Sequence, residues 1–512
     1  MEYPHERRHN DVLDAARPEA VAKQHARGKL TARERIALLV DPDSFYEIGA
    51  LAVPDPMPGP AESVPADALV TGTGRIDGRP AVVIATDFTA AGGSNGVVGN
   101  EKLRRSWEIA AARGIPVVML FDGGGHRLQE GLDARTFAGG FDIQQVQTRL
   151  SGWVPMVAAI LGPGFGQPTL TASLCDYVVA VRGTASLGMA PPALVRAATG
   201  EEIDAESLYG ADAQAGFGTI DLAVDTEEDA LDALRWYLEL LPANADQPPP
   251  TEHPTGPDPE AATRLDTVVP ANLRVGYDMD LVIAGLVDEE SRVDLKSAYA
   301  PNVITALARI EGRPIGIVAN QPLHLAGTLD APGARKAAHL ISLCDAFAIP
   351  ILVLMDLPGL AVGTVAEREG LARASAHLSL ELGAATVPTF TVVARKGYGG
   401  GYVVMSGGRT YHPELVVAWP HAETAVMAVE TAVELVYRSE IADATDPGAH
   451  RAQMIEAFQQ RLTAIRAAEG FGVDVVLKPS QTRAWLDQTL SHLPPRRALE
   501  TRTPRLHPVA PL

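Results

Sequence analysis

The chain repeats itself, and this internal duplication limits the possible folds more than any other feature of the sequence. The segment RIDGRPAVVIA, which begins at Arg75, returns as RIEGRPIGIVA at Arg309, a spacing of 234 residues (309 minus 75). The same spacing relates further pairs: Lys102 with Lys336, Ile115 with Ile349, Asp122 with Asp356, Gly125 with Gly359, and Gly166 with Gly400. A register that holds from Arg75 to Gly166 indicates two copies of one structural unit.

Each copy alternates short apolar runs with helical patterns. The first copy contains the apolar runs AVVIA, PVVML and MVAAIL, and the second contains IGIVA, PILVLM and TFTVVA. Between them lie the patterns NEKLRRSWEIAAARG and GARKAAHLISLCDAFA, whose apolar spacing is typical of helices. Repeated alternation of strands and helices predicts an α/β fold.

The 512 residues are too many for one ordinary core, so we predict two large domains. A proline-rich stretch at residues 244–264 is expected to link a first domain, residues 1–243, to a second, residues 265–512. About 50 residues before the repeat have no counterpart in the second copy. We interpret them as a helical arm, ended by Pro42, that serves packing or assembly.

Composition excludes several functional classes. The formal net charge is −20, with no Lys/Arg cluster, which argues against a nucleic-acid partner. The two cysteines, Cys175 and Cys344, lie in apolar stretches and are predicted to be buried structural thiols rather than ligands of a metal. We find neither a signal-peptide pattern nor an apolar run long enough to cross a membrane, so a cytoplasmic protein without a membrane partner is expected.

Two glycine clusters carry the strongest chemical signal. GPGFGQP (Gly162 to Pro168) and KGYGGGY (Lys396 to Tyr402) each follow an apolar strand at matching positions of the repeat. A strand, then glycines, then a helix leaves backbone N–H groups unpaired, where they and the helix dipole can stabilise an oxyanion. The alternative is that these glycines only make tight turns.

A second pair of glycine-containing loops follows two other strands. DGGGHRLQEG begins at Asp122, and its counterpart DLPGLAVGTVAEREG begins at Asp356. Loops at strand ends are where α/β proteins bind ligands, although each could be a plain connection. The phosphate-binding pattern GxxxxGK[ST] and the serine-hydrolase pattern GxSxG are both absent from the sequence.

These motifs, with others in the same order, resemble the carboxyltransferase (β) subunits of propionyl-CoA and acetyl-CoA carboxylases over nearly the whole chain. The similar segments are GKLTARERIALLVDPDSFYEI, AGGSNGVVGNEKLRR, GGGHRLQEG, PPALVRAATGEEIDAESLYGAD, NQPLHLAGTLD, KAAHLISLCDAFAIP, DLPGLAVGT, KGYGGGYVVM, AWPHAETAVM and AAEGFGVDVVLKP.

The resemblance implies two tandem crotonase-like (ClpP/crotonase) domains built of ββα repeats, in subunits that form hexamers. The first domain would hold an acyl-CoA and the second carboxybiotin, with carboxyl transfer to the α-carbon giving a malonyl-CoA-type product. Biotin would arrive on a separate biotin carboxylase/biotin carrier subunit, because the sequence has no AMKM-like biotin-accepting site. No metal is implied.

Matched to this sequence, the resemblance assigns roles to particular residues. The N–H groups of Gly166 and Gln167 would hold the thioester or enolate oxygen, and those of Gly400 and Gly401 the biotin ureido oxygen. No side-chain base would be required. The substrate-binding candidates are Gly124, Gly125, Arg127 and Val403, and the cofactor-binding candidates are Gly359 and Tyr398.

The chain departs from the family pattern at several of these positions. Gly166 is followed by Gln167 and Pro168, where the family usually has two adjacent glycines, which questions the space for substrate. Val403 replaces an aspartate used in acyl-chain selection, so a longer or branched acyl group is one hypothesis, and plain packing is the other. Gln214 stands where the family often has histidine, and Val362 where it usually has proline.

Three alternatives stay open from the sequence. The subunit could run the reaction as a biotin-dependent decarboxylase or transcarboxylase, or could be a non-catalytic assembly subunit whose first oxyanion hole is remodelled. A biotin-independent crotonase-type enzyme would leave the second glycine cluster without a purpose. Lys102 and Lys336 either reach CoA phosphates or, like most exposed helical lysines, are solvated.

Overall fold

A computed structural model describes residues 3–54, 64–139, 143–497, 509, 510 and 512. The chain divides into two compact units, residues 1–248 with 504–512, and residues 249–503. Each unit contains one large mixed sheet with helices, so the predicted α/β class is confirmed. None of the helices in the described ranges combines the length and hydropathy needed to span a bilayer.

Unit 1 forms a sheet in the order β1-β2-β3-β5-β7-β9-β11, in which the first three strands are antiparallel and the rest parallel. Its strands are β1 (Tyr46–Ile48), β2 (Leu69–Ile76), β3 (Arg79–Thr86), β4 (Ser94–Asn95), β5 (Val117–Phe121), β6 (Gly125–His126), β7 (Met156–Ile160), β8 (Pro163–Phe165), β9 (Tyr177–Val181), β10 (Ser186–Gly188) and β11 (Leu222–Val224). Two short parallel pairs, β4 with β6 and β8 with β10, lie outside this sheet.

The helices of unit 1 follow the predicted alternation. They are α1 (Pro4–Asp11), α2 (Pro18–His25), α3 (Ala32–Leu39), α4 (Val97–Arg113), α5 (Leu128–Gly131), α6 (Ala134–Gly139), α7 (Ile143–Thr148), α8 (Gln167–Ser173), α9 (Pro192–Thr199), α10 (Ala205–Tyr209), α11 (Ala211–Gly216) and α12 (Glu227–Glu239). The core packs apolar residues of α4, such as Trp107, against strand residues such as Ile84 and Met119. Cys175 is buried beside this core, as predicted.

Unit 2 repeats the sheet in the order β12-β13-β14-β15-β16-β17-β19, with β18 paired to β16. Its strands are β12 (Val293–Asp294), β13 (Val303–Ile310), β14 (Arg313–Asn320), β15 (Ile351–Leu357), β16 (Thr389–Tyr398), β17 (Leu415–Ala418), β18 (Glu423–Ala425) and β19 (Val475–Val476). The bounds of β2 and β3 become those of β13 and β14 when 234 is added to each residue number. The duplication is therefore structural.

The helices of unit 2 include an extended set before its last strand. They are α13 (Pro259–Val268), α14 (Met279–Ala284), α15 (Ala331–Ala346), α16 (Thr364–Arg368), α17 (Leu371–Ala384), α18 (Gly399–Val404), α19 (Val429–Val436), α20 (Arg438–Asp443), α21 (Pro447–Gln459), α22 (Ala464–Glu469) and α23 (Thr482–Leu490). Cys344 is fully buried in α15, where it lies under Gly316, also as predicted. Burial raises the pKa of both thiols.

The break between the two units lies in the proline-rich stretch of the sequence. The division falls between Pro248 and Pro249, and α13 begins inside the predicted linker of residues 244–264. Proline is compatible with this helix because Pro259 occupies its first turn and the Asp258 side chain caps the N–H of Ala261. At the far end, residues 498–508 and 511 lie outside the described residues, and the Val509 carbonyl accepts a hydrogen bond from Ser151 Oγ of unit 1 (3.0 Å).

The N-terminal arm supplies buried charge to unit 1. Helix α3 starts with a capping box between Thr31 and Glu34 and ends at Leu39, three residues before Pro42. From this arm, Lys29 and Arg35 both pair with Asp122, whose side chain is fully buried at the end of β5. The arm is thus part of the packing of unit 1, in the role that the sequence suggested.

Candidate active site

The first glycine cluster forms the turn from β8 into α8. Gly166 has a left-handed backbone (φ 74°), which glycine adopts without strain, and it caps α8. Its N–H donates to the Gly188 carbonyl (2.9 Å). The N–H of Gln167, at the first position of α8, has no acceptor among the described residues. Of the two predicted donors, only Gln167 is available in this structure, because the pairing of β8 with β10 already engages Gly166.

The second cluster forms the turn from β16 into α18. Tyr398 is the N-cap, and within the described chain the N–H groups of Gly400 and Gly401 have no acceptor. Gly401 is buried, and a Cβ there would lie 2.5 Å from Leu357 Cδ2 and 3.2 Å from the carbonyl carbon of Gly359. The fold therefore brings Gly359 and Gly401 together, and only glycine fits at position 401.

The loop after β5 approaches the first cluster in the same way. Gly125 has φ 79°, and a Cβ there would lie 2.9 Å from the Phe165 carbonyl oxygen and 3.1 Å from Pro168 Cδ. Its neighbour Gly124 is exposed, and the Gly124 N–H donates to the Gly92 carbonyl (3.1 Å). Gly125 thus lies against the candidate site, whereas the N–H of Gly124 is already used.

Arg127 is buried in an ion-pair network, with 4% of its surface exposed. Its guanidinium pairs with Asp67 (2.6 Å) and Glu130, and donates to the Ser94 carbonyl (2.7 Å). Since its charge is neutralised within the chain, the structure favours a role in positioning the loop over the predicted contact with substrate. The sequence missed this because Asp67 lies 60 residues away.

The same two carboxylates cap helix α4. Glu130 accepts from the Val97 N–H (2.8 Å), and Asp67 accepts from the Gly99 N–H (2.6 Å) and the Gly96 N–H (3.2 Å). The N-terminus of this long helix would otherwise attract an anion. In this chain, its own side chains occupy that position.

Tyr398 and Val403 flank the second cluster. The Tyr398 hydroxyl donates to Glu423 Oε2 (2.7 Å), and burial raises the pKa of Tyr398. This hydroxyl braces the turn rather than offering a free donor to a cofactor. Val403 lies in α18, three residues after Gly400. It is 48% exposed, so its side chain is accessible in the single chain.

The two aspartates that the repeat aligns are both fully buried, but their cations come from different elements. Asp356 pairs with Arg395 (2.9 Å) and Lys396 (3.5 Å) from its neighbouring strand β16. Asp122 pairs with Lys29 and Arg35 from the arm instead, and also accepts from Gln24 (2.9 Å). The constant spacing of the two aspartates was visible in the sequence, but their partners were not.

Lys102 and Lys336 play matching structural roles, which corrects both readings of the sequence. Lys102 Nζ donates to the carbonyls of Ala66 and Leu69, and Lys336 Nζ to those of Tyr299 and Val303. Both side chains are buried, and their ammonium groups bond to carbonyl groups just before, or at the start of, β2 and β13. They are therefore neither solvated nor directed to phosphates. Burial lowers the pKa of Lys102 to about 8.

Gln167 also contributes a side chain that the sequence did not bring into the argument. Its Nε2 donates to Asn100 Oδ1 (3.3 Å), and Asn100 Oδ1 accepts a second hydrogen bond from Asn95 Nδ2 (2.8 Å). The Oε1 atom of Gln167 is buried. No group of three or more His, Cys, Asp or Glu side chains with metal-binding geometry occurs in the described part of the chain.

Each of the two α/β units ends a strand in a glycine turn, and backbone N–H groups at the start of the following helix have no acceptor among the described residues, which defines a duplicated α/β protein with two candidate oxyanion sites. Comparison with known proteins identifies its kind. The carboxyl transferase domain family matches residues 23–509. The beta5 subunit of a biotin-dependent acetyl-/propionyl-coenzyme A carboxylase from Mycobacterium leprae is 38% identical over 96% of this chain and 93% of its own length.

Two further relatives broaden the comparison. Methylmalonyl-CoA decarboxylase subunit alpha from Veillonella parvula is 37% identical over 96% of this chain and 95% of its own length. The transcarboxylase 12S structure, a hexamer with methylmalonyl-coenzyme A bound, superposes with a TM-score of 0.90 at 36% identity, covering 99% of this chain and 98% of that one. The chain belongs to the carboxyl transferase domain family and is a carboxyltransferase subunit of the biotin-dependent acyl-CoA carboxylase type.

Proposed function

We propose that this subunit transfers a carboxyl group from carboxybiotin, carried on a separate subunit, to the α-carbon of an acyl-CoA. The observation that carries the proposal is the set of backbone N–H groups without acceptors at Gln167 and at Gly400 and Gly401, within the described residues. Acyl-CoA carboxylation develops negative charge on oxygen atoms. Preorganised N–H donors stabilise such charge without reorganising, typically by about 3 to 4 kcal/mol for one donor.

The two glycine turns would act on different oxygens. In unit 1, the Gln167 N–H would hold the thioester oxygen as it gains charge, with Gly125 and Pro168 shaping the turn beside it. In unit 2, the N–H groups of Gly400 and Gly401 suit the ureido oxygen of biotin, a neutral acceptor that becomes more basic when the carboxyl group leaves. Bound carboxybiotin supplies that carboxyl group. When bound, biotin would also supply the acceptor for the α-proton that the acyl-CoA loses, while the backbone donors only stabilise charge on oxygen, so no side-chain base is assigned.

We assign the remaining predicted residues by their geometry. Gly359 would support the biotin-side glycine turn, because its backbone closely approaches Gly401. Tyr398 would hold the same turn in place through the hydrogen bond from its hydroxyl to Glu423. Arg127 positions the loop that contains Gly124 and Gly125. By analogy with the hexameric transcarboxylase 12S, we propose that the subunit forms a hexamer, which sedimentation would test.

The direction in the cell is proposed as carboxylation, in keeping with the mycobacterial relative. Decarboxylation is the second candidate, favoured by the similarity to the Veillonella decarboxylase subunit. The partner that restores full activity decides between them. A biotin carboxylase that consumes ATP would establish the first direction, and a membrane sodium-pump subunit the second.

The first experiment uses the reverse half-reaction. The purified protein is incubated with free biotin and a panel of malonyl-type CoA esters, and mass spectrometry follows loss of the carboxyl group. Biotin-dependent loss from one ester would support carboxyl transfer and reveal the acyl preference. No loss from any ester by a folded oligomer would contradict the proposal and favour the non-catalytic assembly subunit.

A further inference from the structure

The carboxamide of Gln167 is held by its neighbours at one end only. Its Nε2 donates to Asn100 Oδ1 over 3.3 Å, a long hydrogen bond. Its Oε1 is buried and has no hydrogen-bond partner among the described residues. The side chain belongs to the residue whose N–H we propose as the acyl-side donor.

Two buried asparagines complete the amide cluster around Gln167. Asn95 Nδ2 donates to Asn100 Oδ1 over 2.8 Å, and the exposed fractions of Asn95 and Asn100 are 5% and 2%. In this arrangement Asn100 Oδ1 accepts from both neighbours, and Gln167 presents its NH₂ group to Asn100. The acceptor Oε1 is then the amide atom without a hydrogen-bond partner among the described residues.

A buried carbonyl oxygen without a donor is unfavourable, and folded proteins pair nearly all such groups. An oxyanion is not its complement, because two acceptors repel. Its complement is an N–H or O–H group. The weak bond to Asn100 and the broad terminal torsion of glutamine allow the small rotation that would expose Oε1 to a ligand.

We propose that Gln167 is a specificity-determining residue whose Oε1 accepts a hydrogen bond from an N–H or O–H group of the bound acyl-CoA. This inference rests on the proposed function, which places the thioester at the Gln167 N–H. The donor can come from two sources with the same chemistry: an amide N–H of the pantetheine arm, or a hydroxyl carried by the acyl group.

Two variants distinguish the effect of the Gln167 amide from the effect of the side chain's volume. Gln167→Met keeps the length and approximate volume of the side chain but removes the amide, and Gln167→Gly removes the whole side chain. Gln145→Met, on an exposed face of α7, is the matched control. Dissociation constants are measured by calorimetry for CoA, for simple acyl-CoAs, and for their equal-length hydroxyacyl partners. The kcat/KM values of the biotin-dependent half-reaction are measured on the corresponding esters.

Loss of one hydrogen bond should weaken binding by about tenfold. If the acyl group is the donor, wild type prefers the hydroxyacyl partner and Gln167→Met abolishes that preference. If pantetheine is the donor, Gln167→Met weakens CoA and every thioester alike. In either case the unliganded variant should melt at or above the wild-type temperature, because an unpaired oxygen is gone.

The proposal is overturned if Gln167→Met binds CoA and both thioester series within twofold of wild type and of the Gln145→Met control. The binding measurement does not need turnover. If wild type processes no ester, the proposed function fails, yet the dissociation constants still decide the role of Gln167. If Gln167→Met does not assemble, Gln167→Gly gives the same comparison between paired ligands.

Discussion

At the scale of single residues, Gly400 and Gly401 are neighbours with different requirements. A Cβ at Gly401 would meet Leu357 and the Gly359 backbone, whereas a Cβ at Gly400 would meet only Leu360 Cδ1, at 3.3 Å. We therefore expect Gly401→Ala to displace a donor and lower biotin-dependent turnover by about 10²-fold. Gly400→Ala, the matched control, should stay within a few fold. Equal losses in the decarboxylation assay would contradict this assignment.

Val403 provides a second residue-scale test. Its apolar side chain follows the second glycine turn and is exposed in the single chain. If it faces the acyl group, Val403→Asp should shift kcat/KM towards shorter acyl chains, because a carboxylate next to an alkyl chain would have to be desolvated. A competition assay with acyl-CoAs of graded length measures the shift. An unchanged preference would mean that Val403 only packs against neighbouring residues.

At the scale of elements, the arm is tied to the sheet by Arg35. This residue is almost fully buried and pairs with Asp122 and Glu227 at once. Arg35→Met would leave the buried Glu227 without the cation it pairs with, and Asp122 with Lys29 as its remaining cation, so we expect about 3 to 5 kcal/mol loss of unfolding free energy. Arg33→Met, which breaks a partly exposed pair with Glu47, should cost about 1 kcal/mol. Urea denaturation of both variants makes the comparison, and similar losses would refute it.

Asp176, at the start of β9, gives unit 1 an unusual pH dependence. Burial raises its pKa from 3.8 to about 7, although it accepts a hydrogen bond from the Met156 N–H (2.8 Å). Between these pKa values the folded state binds a proton that the unfolded state has lost. The stabilisation is therefore complete below pH 4 and disappears as the pH rises through 7.

We expect wild type to lose about 1.4 kcal/mol per pH unit relative to Asp176→Asn between about pH 4 and 7. The asparagine has nearly the same shape and cannot ionise, which makes it the appropriate reference. Urea denaturation at several pH values measures the difference. A difference that does not change with pH would show that Asp176 is ionised throughout.

At the scale of the whole molecule, the duplication made much of the fold predictable. The apolar runs became β3, β5, β7, β14, β15 and β16, and the repeat spacing carried over to the strand bounds. The pattern of short-range hydrophobicity determines such elements. What it does not determine is the partner of a buried polar group. The Gly166 N–H, the Arg127 guanidinium and the Lys102 ammonium each bond to groups from distant segments.

The two units should also be separable in function. A proline at position 401 removes one N–H from the biotin-side turn of unit 2 and leaves Gln167 of unit 1 untouched. We expect Gly401→Pro to abolish most biotin-dependent decarboxylation while acyl-CoA binds with an unchanged dissociation constant. Calorimetry and the decarboxylation assay, on a variant shown to keep its oligomeric state, test this. Loss of both properties together would contradict the division of labour.

The buried aspartates also bear on how each half could exist alone. Asp356 takes its counter-ions from its own strand neighbour, whereas Asp122 takes them from a segment that precedes the repeat. A second half cut out of the gene would carry everything needed to neutralise its carboxylate. A first half trimmed to the repeat would lack Lys29 and Arg35, the two cations that pair with Asp122. The two copies are therefore not interchangeable in how they neutralise this aspartate.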